Sequence, residues 1–456
     1  VAACLHEAED VMAQIKAGGA WADTEIQREF EAYWNGFPLI SCGLDFTKKS
    51  AEVFLPEGDA ASHGWIYQDV ERARAIARSM GVEPEPGGKV YLLKARRPLS
   101  IGGAGEIPGN TKSLLNWLRS WDNAVHREII SLISQKEFFQ EGSPRIIVRA
   151  DNATIGFRIL LDANALKAFK DKAKEFPHRL SHPYLPPINI RRYSVSDASP
   201  EFIYSRNGQQ SLGGKKILLI GAGAIGGYLA DNLVRMGAGY AGGRLTIIDS
   251  DTLLPENLSR HRLGMDSILN FKADALAKRL GTEFPWLDIN PIHEDVLRYR
   301  GIFRADLVID ATGDEALGRA INRQHQALPA ESTPPVLYCW IAGAGDGVQV
   351  IWVDADRKHA CLECLSHHDS HGNWTPRFQF LRGTTKILFV GCAAVTPYAV
   401  SSAMKAAALA SEMIGDWLTG DVKPRFRCRA RAHGETHDIN DSSPDRLKEC
   451  PACRRT

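Results

Sequence analysis

KKILLIGAGAIGGYLADNLVRMGAG, residues 215–239, decides the fold. An apolar run breaks into glycines and then into a helical pattern. Residues 217–220 read as a buried parallel strand, and Gly221, Gly223 and Gly226 as a G-x-G-x-x-G turn. Ile225, Leu229, Leu233 and Met236 then recur at helical spacing on one face. Glycines let the backbone turn tightly and let a phosphate approach the helix N-terminus, whose N–H groups and dipole favour anions. A second strand, Arg244–Ile248, ends at Asp249, where a nucleotide ribose is normally held. Alone, this pattern serves NAD as readily as ATP.

The next stretch is more specific. IDSDTLLPENLSRHRLG, residues 248–264, supplies Asp249, Asp251, Asn257, Arg260, His261 and Arg262, and Lys272 follows soon after. Cations and a carboxamide just beyond the second strand suit a triphosphate whose pyrophosphate must leave. A dinucleotide needs no such cluster. Residues 215–272 resemble the ThiF/MoeB/HesA superfamily, ATP-dependent activators of ubiquitin-like proteins, and the match covers the C-terminal half of the chain.

The resemblance assigns roles. ATP is expected on the glycine loop. Asp249 or Asp251 holds ribose, with the D-x-D pattern favouring Asp251. Asn257, Arg260 and Lys272 match positions that hold phosphates and stabilise the charge of departing pyrophosphate. A further strand, residues 307–309, ends in DATGDE, where the family has D-x-T-D-N. Gly313 stands where the family's magnesium aspartate is expected, which leaves Mg²⁺ to Asp310 or Asp314. Arg206 precedes the first strand by about the interval of the arginine that, in related homodimers, enters the partner's ATP site.

Cys361-Leu-Glu-Cys364 and Cys450-Pro-Ala-Cys453 are two C-x-x-C pairs, together the full thiolate set of a structural zinc. The family also carries one pair after the nucleotide half and one at the C-terminal end. Cys392 lies in FVGCAAVTPYAVSS, with Thr396 and Pro397 expected as N-cap and first residue of the next helix. Its placement resembles the cysteine that takes the acyl group from AMP as a thioester. Cys339 and Cys428 have no such context.

At 456 residues the chain has room for two or three domains, and its formal net charge of +1 gives no basic excess pointing to nucleic acid. Glu7, Glu9 and Asp10 stand where a signal peptide is apolar. Lys405 and Glu412 interrupt the longest Ala-rich run, so no membrane segment is expected. Nine cysteines without a secretion signal favour thiols or a metal over a disulfide framework, and a cytoplasmic protein is expected.

The first half carries no motif tied to chemistry. Residues 1–35 read as two amphipathic helices, with Leu5, Ala8, Val11, Met12 and Ile15 on one stripe and Ile26, Phe30, Tyr33 and Trp34 on the other. They are similar to the tail of a ubiquitin-conjugating fold, as fused before activating domains in some bacterial defence proteins. A helix over 66–80, a strand over 90–94, and a loop over 102–110 are expected. A long helix then runs from Thr111 with Leu114, Leu115, Leu118, Val125, Ile129 and Leu132 inward, followed by strands over 145–149 and 155–161 and a helix over 163–176. Residues 177–200, rich in proline and polar side chains, read as a linker.

The expectation is therefore an α/β protein. Residues 201–456 form a Rossmann-like doubly wound ATP-binding domain with a four-cysteine zinc clip. Residues 1–200 form an α/β or α+β helper domain. The expected reaction is adenylation of the C-terminal carboxylate of a ubiquitin-like or sulfur-carrier protein, using ATP, Mg²⁺ and Zn²⁺, then thioester transfer to Cys392. A conjugating-type enzyme or fused domain and a second copy of the chain are the expected partners. The rivals are an adenylating tRNA-modifying enzyme, an NAD-dependent dehydrogenase and an inactive scaffold.

Overall fold

The computed structural model describes residues 6, 9–10, 12–13, 27, 30–55, 64–81, 85–101, 107–206, 208, 210–354, 358–368, 371, 374–383, 388–390, 393–432 and 434–454. Chain contacts divide the molecule into two units, 1–202 and 203–456.

In the first unit, seven strands close into a barrel. Their order is Phe37–Ser41, Gly64–Tyr67, Ser50–Leu55, Glu85–Lys94, Arg145–Arg149, Thr154–Ile159 and Ile190–Asp197, which returns to the first. The two-residue side-chain period gives each strand two destinations. Ile147 joins Val53, Ile66, Val90 and Val195 in one cluster. Ile146 and Val148 point the other way and pack with Leu114, Trp117, Leu118 and Ile129 of the neighbouring helices. Phe30 and Trp34 join that second cluster from the Phe30–Trp34 helix, while Tyr33 of the same stripe is exposed. Met12 is also exposed. Leu5, Ala8, Val11, Ile15, Ile26 and residues 102–106 of the glycine loop lie outside the described residues.

Four expectations for this half are corrected. The helix expected over 163–176 ends at Phe169, and a new one begins at Phe176. Ile66 and Tyr67 belong to a strand, and the helix starts at Val70, where Asp69 caps the N–H groups of Glu71 and Arg72. The long helix is two, Thr111–Trp121 and Asn123–Ile133. Asp122 breaks it in an extended conformation, accepting from the Ala124 and Val125 N–H groups, an alternative that a short carboxylate offers the backbone. The inward residues were identified correctly, because the break preserves the apolar stripe. Residues 177–200 are not a linker. They contain the last residues of the Phe176–Ser181 helix and the Ile190–Asp197 strand that closes the barrel. The prolines at 183, 186 and 187 end before that strand begins, and its exposed positions are polar, so composition concealed it.

In the second unit, seven strands form an open sheet in the order Ile289–Ile292, Arg244–Ile248, Lys216–Ile220, Leu307–Asp310, Val336–Ala342, Gly347–Val353 and Phe426–Ala430. The first five are parallel, Gly347–Val353 runs antiparallel to them, and Phe426–Ala430 pairs antiparallel with Gly347–Val353. Along Lys216–Ile220, Ile217 and Leu219 pack under the Ala224–Arg235, Lys272–Glu283 and Val400–Thr419 helices. Leu218 and Ile220 pack on the opposite face with Ile321 of the Glu315–Ala327 helix and the four paired cysteines. Burial on both faces is what a near-continuous apolar strand encodes. The strand order reverses beside Lys216–Ile220, so a crevice opens beyond the carboxyl ends of that strand and Leu307–Asp310. The edge strand Ile289–Ile292 escaped the sequence pattern because Pro291 stands inside it, tolerated only at an edge. No helix among the described residues is long and apolar enough to cross a membrane.

Asp122→Ala removes a cap shared by two N–H groups. It should destabilise the first unit by about 1–2 kcal/mol, seen as a lower urea midpoint. An unchanged midpoint would mean that packing alone holds the break.

Candidate active site

The crevice holds a cleft of 420 Å³ whose wall includes Gly221, Gly223, Asp249, Asp251, Asn257, Arg260, Lys272 and Asp314. Gly221 adopts φ +90°, and a Cβ there would meet the Thr312 methyl at 2.9 Å. Gly223 is the N-cap of the Ala224–Arg235 helix and has open space where a Cβ would stand. No side chain caps that helix, which leaves its N-terminus suited to an anion. Gly226 does not line the cleft. A Cβ there would lie 1.8 Å from the Gly221 oxygen, so it permits the helix to close on the loop.

Asp249 and Asp251 separate cleanly. One Asp249 oxygen accepts from the Ala222 N–H at 2.7 Å and the other from the Asp251 N–H at 2.7 Å. Burial pushes this carboxyl up, and those two N–H groups oppose the shift. Asp249 is thus committed to shaping the loop. Asp251 has a side chain 66% exposed, with Lys272 Nζ 2.7 Å from one oxygen. The Lys272 backbone N–H also bonds the Asp251 carbonyl at 2.9 Å. Asn257 ends a short turn in which its side-chain oxygen accepts from the Leu254 N–H at 3.0 Å. Arg260 reaches the Glu256 carbonyl at 3.2 Å and lies over the Tyr398 ring.

His261 is buried and braces the loop from the other side. Its Nδ1 accepts from the Leu263 N–H at 3.0 Å, which places the proton on Nε2, 2.7 Å from the Ala222 carbonyl. Arg262 is turned away, toward Asp231 and Glu283 between two helices.

The two candidate magnesium carboxylates differ in position. Asp310 is 4% exposed and faces a second cavity, and Oδ1 accepts from both the N–H and the hydroxyl of Thr312. Burial pushes it up to about 6. Asp314 lines the cleft, and its Oδ1 caps the Glu315–Ala327 helix through the Ala316 and Leu317 N–H groups. Arg206 is exposed at the end of the Pro200–Ser205 helix and does not line the cleft of its own chain.

Cys392 lies outside the described residues. Thr396 and Pro397 do not start the following helix, which begins at Val400 with Ala399 as its N-cap. Cys339 and Cys428 are both buried; burial raises the Cys339 thiol and pushes Cys428 up to about 11. Neither is exposed as a nucleophile. Cys361, Cys364, Cys450 and Cys453 are buried with their sulfurs within 4.8 Å of one another. Glu294, Asp295, Thr312 and Tyr398 line the cleft and were not found from the sequence. Glu294 and Asp295 follow the concealed edge strand, so the missed strand hid them.

A model of the ThiF family matches residues 197–440. The ATP-dependent ubiquitin transferase-like protein Cap2 of Pseudomonas aeruginosa is 32% identical over 463 residues, covering 99% of this chain and 81% of that protein. The protein of the same name from Escherichia coli is 28% identical over 380 residues, covering 74% of this chain and 62% of its own length. Among solved structures, Escherichia coli MccB with ATP matches at 16% identity and a TM-score of 0.38, covering 52% of this chain and 66% of MccB.

The His261 brace generates a pH prediction. Burial, with Lys272 and Arg260 nearby, lowers its pKa below the ordinary 6.5. Below pH 6.5 the unfolded chain takes up a proton that the folded chain resists. Its contribution is therefore complete above 6.5 and lost as pH falls through the folded value. Stability measured against pH should fall less steeply on the acid side in His261→Gln, by up to about one proton. Parallel profiles would contradict the neutral brace.

Proposed function

The chain belongs to the ThiF family, and from that premise we propose that it activates the C-terminal carboxylate of a ubiquitin-like or sulfur-carrier protein with MgATP. One observation carries the reading. A single cleft gathers the glycine loop, Asp251, Asn257, Arg260, Lys272 and Asp314 at the carboxyl ends of the parallel strands. Asp249 has both oxygens on backbone N–H groups, so the ribose role passes to Asp251.

The carrier carboxylate attacks the α-phosphorus of ATP. An acyl–oxygen–phosphorus bond forms, the bond to the β-phosphate breaks, and its electron pair leaves on pyrophosphate. Arg260 and Lys272 supply fixed positive charge where that pair arrives, and Asn257 orients the phosphates. Asp314, which lines the cleft, would hold Mg²⁺, and the ion would neutralise triphosphate charge. The Cys392 thiolate then attacks the acyl carbon and AMP departs, leaving a thioester. Arg206, outside its own cleft, fits a role across a homodimer.

The four cysteines fit structural zinc. Sulfurs at the corners of a tetrahedron around Zn²⁺ lie about 3.8 Å apart for a bond of about 2.3 Å. Here Cys361 to Cys364 is 3.8 Å, Cys361 to Cys450 3.6 Å and Cys364 to Cys453 3.5 Å. These separations far exceed a disulfide bond. The Asn322 side-chain amide and the Leu447 backbone N–H each donate to a ligand sulfur at 3.4 Å, as thiolate ligands require. The ion would tie the tail at 450–453 to the Leu362–Leu365 turn.

Carrier-dependent ATP–pyrophosphate exchange tests the function. Arg260→Ala and Lys272→Ala should each lose about a hundredfold or more, while Cys392→Ala should exchange normally and lose only a thiol-sensitive adduct with the carrier. Near-normal exchange in either cation variant would defeat the assignment. An adduct surviving in Cys392→Ala would place the nucleophile elsewhere.

Purified protein should contain one zinc per chain by metal analysis. Cys450→Ser with Cys453→Ser should lose it and loosen the C-terminal tail. Zinc retained in that double variant would refute the four-cysteine site.

A further inference from the structure

Tyr398 stands apart from every residue that the family pattern singled out, yet it lines the nucleotide cleft. Its ring lies under the Arg260 guanidinium, with the central carbon 5.6 Å from the ring centroid. It precedes the Val400–Thr419 helix and reaches the cleft from an element remote in sequence from Arg260.

The base of the Tyr398 side chain is itself packed. The turn between the Val336–Ala342 and Gly347–Val353 strands brings Gly345, at φ +84°, close to the Tyr398 Cβ. A Cβ on Gly345 would stand 3.1 Å from the Tyr398 Cβ. Ser402 donates to the Gly345 carbonyl at 3.4 Å and fixes the first turn of the helix to the same place. On its other side Arg260 donates to the Glu256 carbonyl at 3.2 Å. The guanidinium is thus gripped by a ring and a carbonyl before any phosphate arrives.

We propose that Tyr398 is a positioning residue for the triphosphate, holding the Arg260 guanidinium aimed into the cleft. The inference rests on the adenylation reading and deepens it at one residue. An arginine on a flexible stem loses rotamer freedom when a phosphate fixes it. A cation already stacked on a rigid ring has lost much of that freedom beforehand, so less is lost on binding. The ring face also favours positive charge directly.

The test measures binding to the full chain by calorimetry with MgATP, inorganic tripolyphosphate and adenosine as probes. Tyr398→Leu should weaken MgATP and tripolyphosphate by about threefold to tenfold and leave adenosine unchanged, since adenosine carries no phosphate for Arg260. Tyr398→Phe keeps the ring and should restore both affinities. In an Arg260→Ala background, Tyr398→Leu should add nothing. Equal weakening of adenosine, failure of Tyr398→Phe to restore affinity, or full independent losses in the double variant would overturn the proposal. So would unchanged affinity in Tyr398→Leu. If the unmutated chain binds adenosine but neither MgATP nor tripolyphosphate, the adenylation reading itself fails, a result distinct from any produced by Tyr398 alone.

Discussion

The peptide unit of Ala222 is held from both sides, and the second unit's site depends on that grip. Its N–H donates to Asp249, and its carbonyl accepts from His261. The first contact fastens the glycine loop to the end of the neighbouring strand. The second fastens it to the segment that carries Arg260. Each partner is mostly withdrawn from water, and each has its pKa moved toward the neutral form by that burial. A desolvated carboxylate is tolerable only when hydrogen bonds replace its water, and Asp249 receives them from two backbone N–H groups. Gly226 completes the arrangement by removing the atom that would separate helix from loop. The glycine loop, the Asp249–Asp251 step and the segment carrying Arg260 are therefore fixed relative to one another.

The Lys272–Asp251 pair shows how charge is stored in that frame. Lys272 is largely buried and its ammonium rests on Asp251. Such a pair contributes little to net stability, because removing the ammonium from water offsets most of the attraction. Its value lies in placement. Asp251 is exposed and carries a second oxygen, so it has capacity for a ribose hydroxyl while Lys272 remains alongside. The cation is kept at the cleft wall in a defined position.

Legibility followed the range of the constraints. The glycine turn, the D-x-D step and the paired C-x-x-C spacings are imposed by covalent geometry over a few residues, and one sequence displays them. The first unit is built instead from pairings between distant segments. Residues 190–197 gain their meaning only by closing a barrel against residues 37–41 and 154–159. Asp122 splits the helix but not its apolar stripe, by accepting from the Ala124 and Val125 N–H groups, which hydrophobic periodicity does not register. Thr396 and Pro397 have the chemistry of a helix start, but the helix begins at Val400, after Tyr398 has been directed into the cleft. Tyr398 and Glu294 were invisible for the same reason: each owes its place to a strand or turn elsewhere in the sheet.

The departure at DATGDE is absorbed by the backbone. Gly313 occupies the position of the expected carboxylate and adopts φ +68°, a conformation that glycine enters at little cost. That left-handed step brings Asp314 to the helix start, where its Oδ1 satisfies two N–H groups and its side chain still borders the cleft. Asp310, at the end of its strand, is held by Thr312 and lines the neighbouring cavity instead. Moving the acidic side chain one residue along the chain therefore does not remove it from the site. The helix dipole favours an acidic cap at this end, so one carboxylate at residue 314 both closes the helix start and borders the cleft.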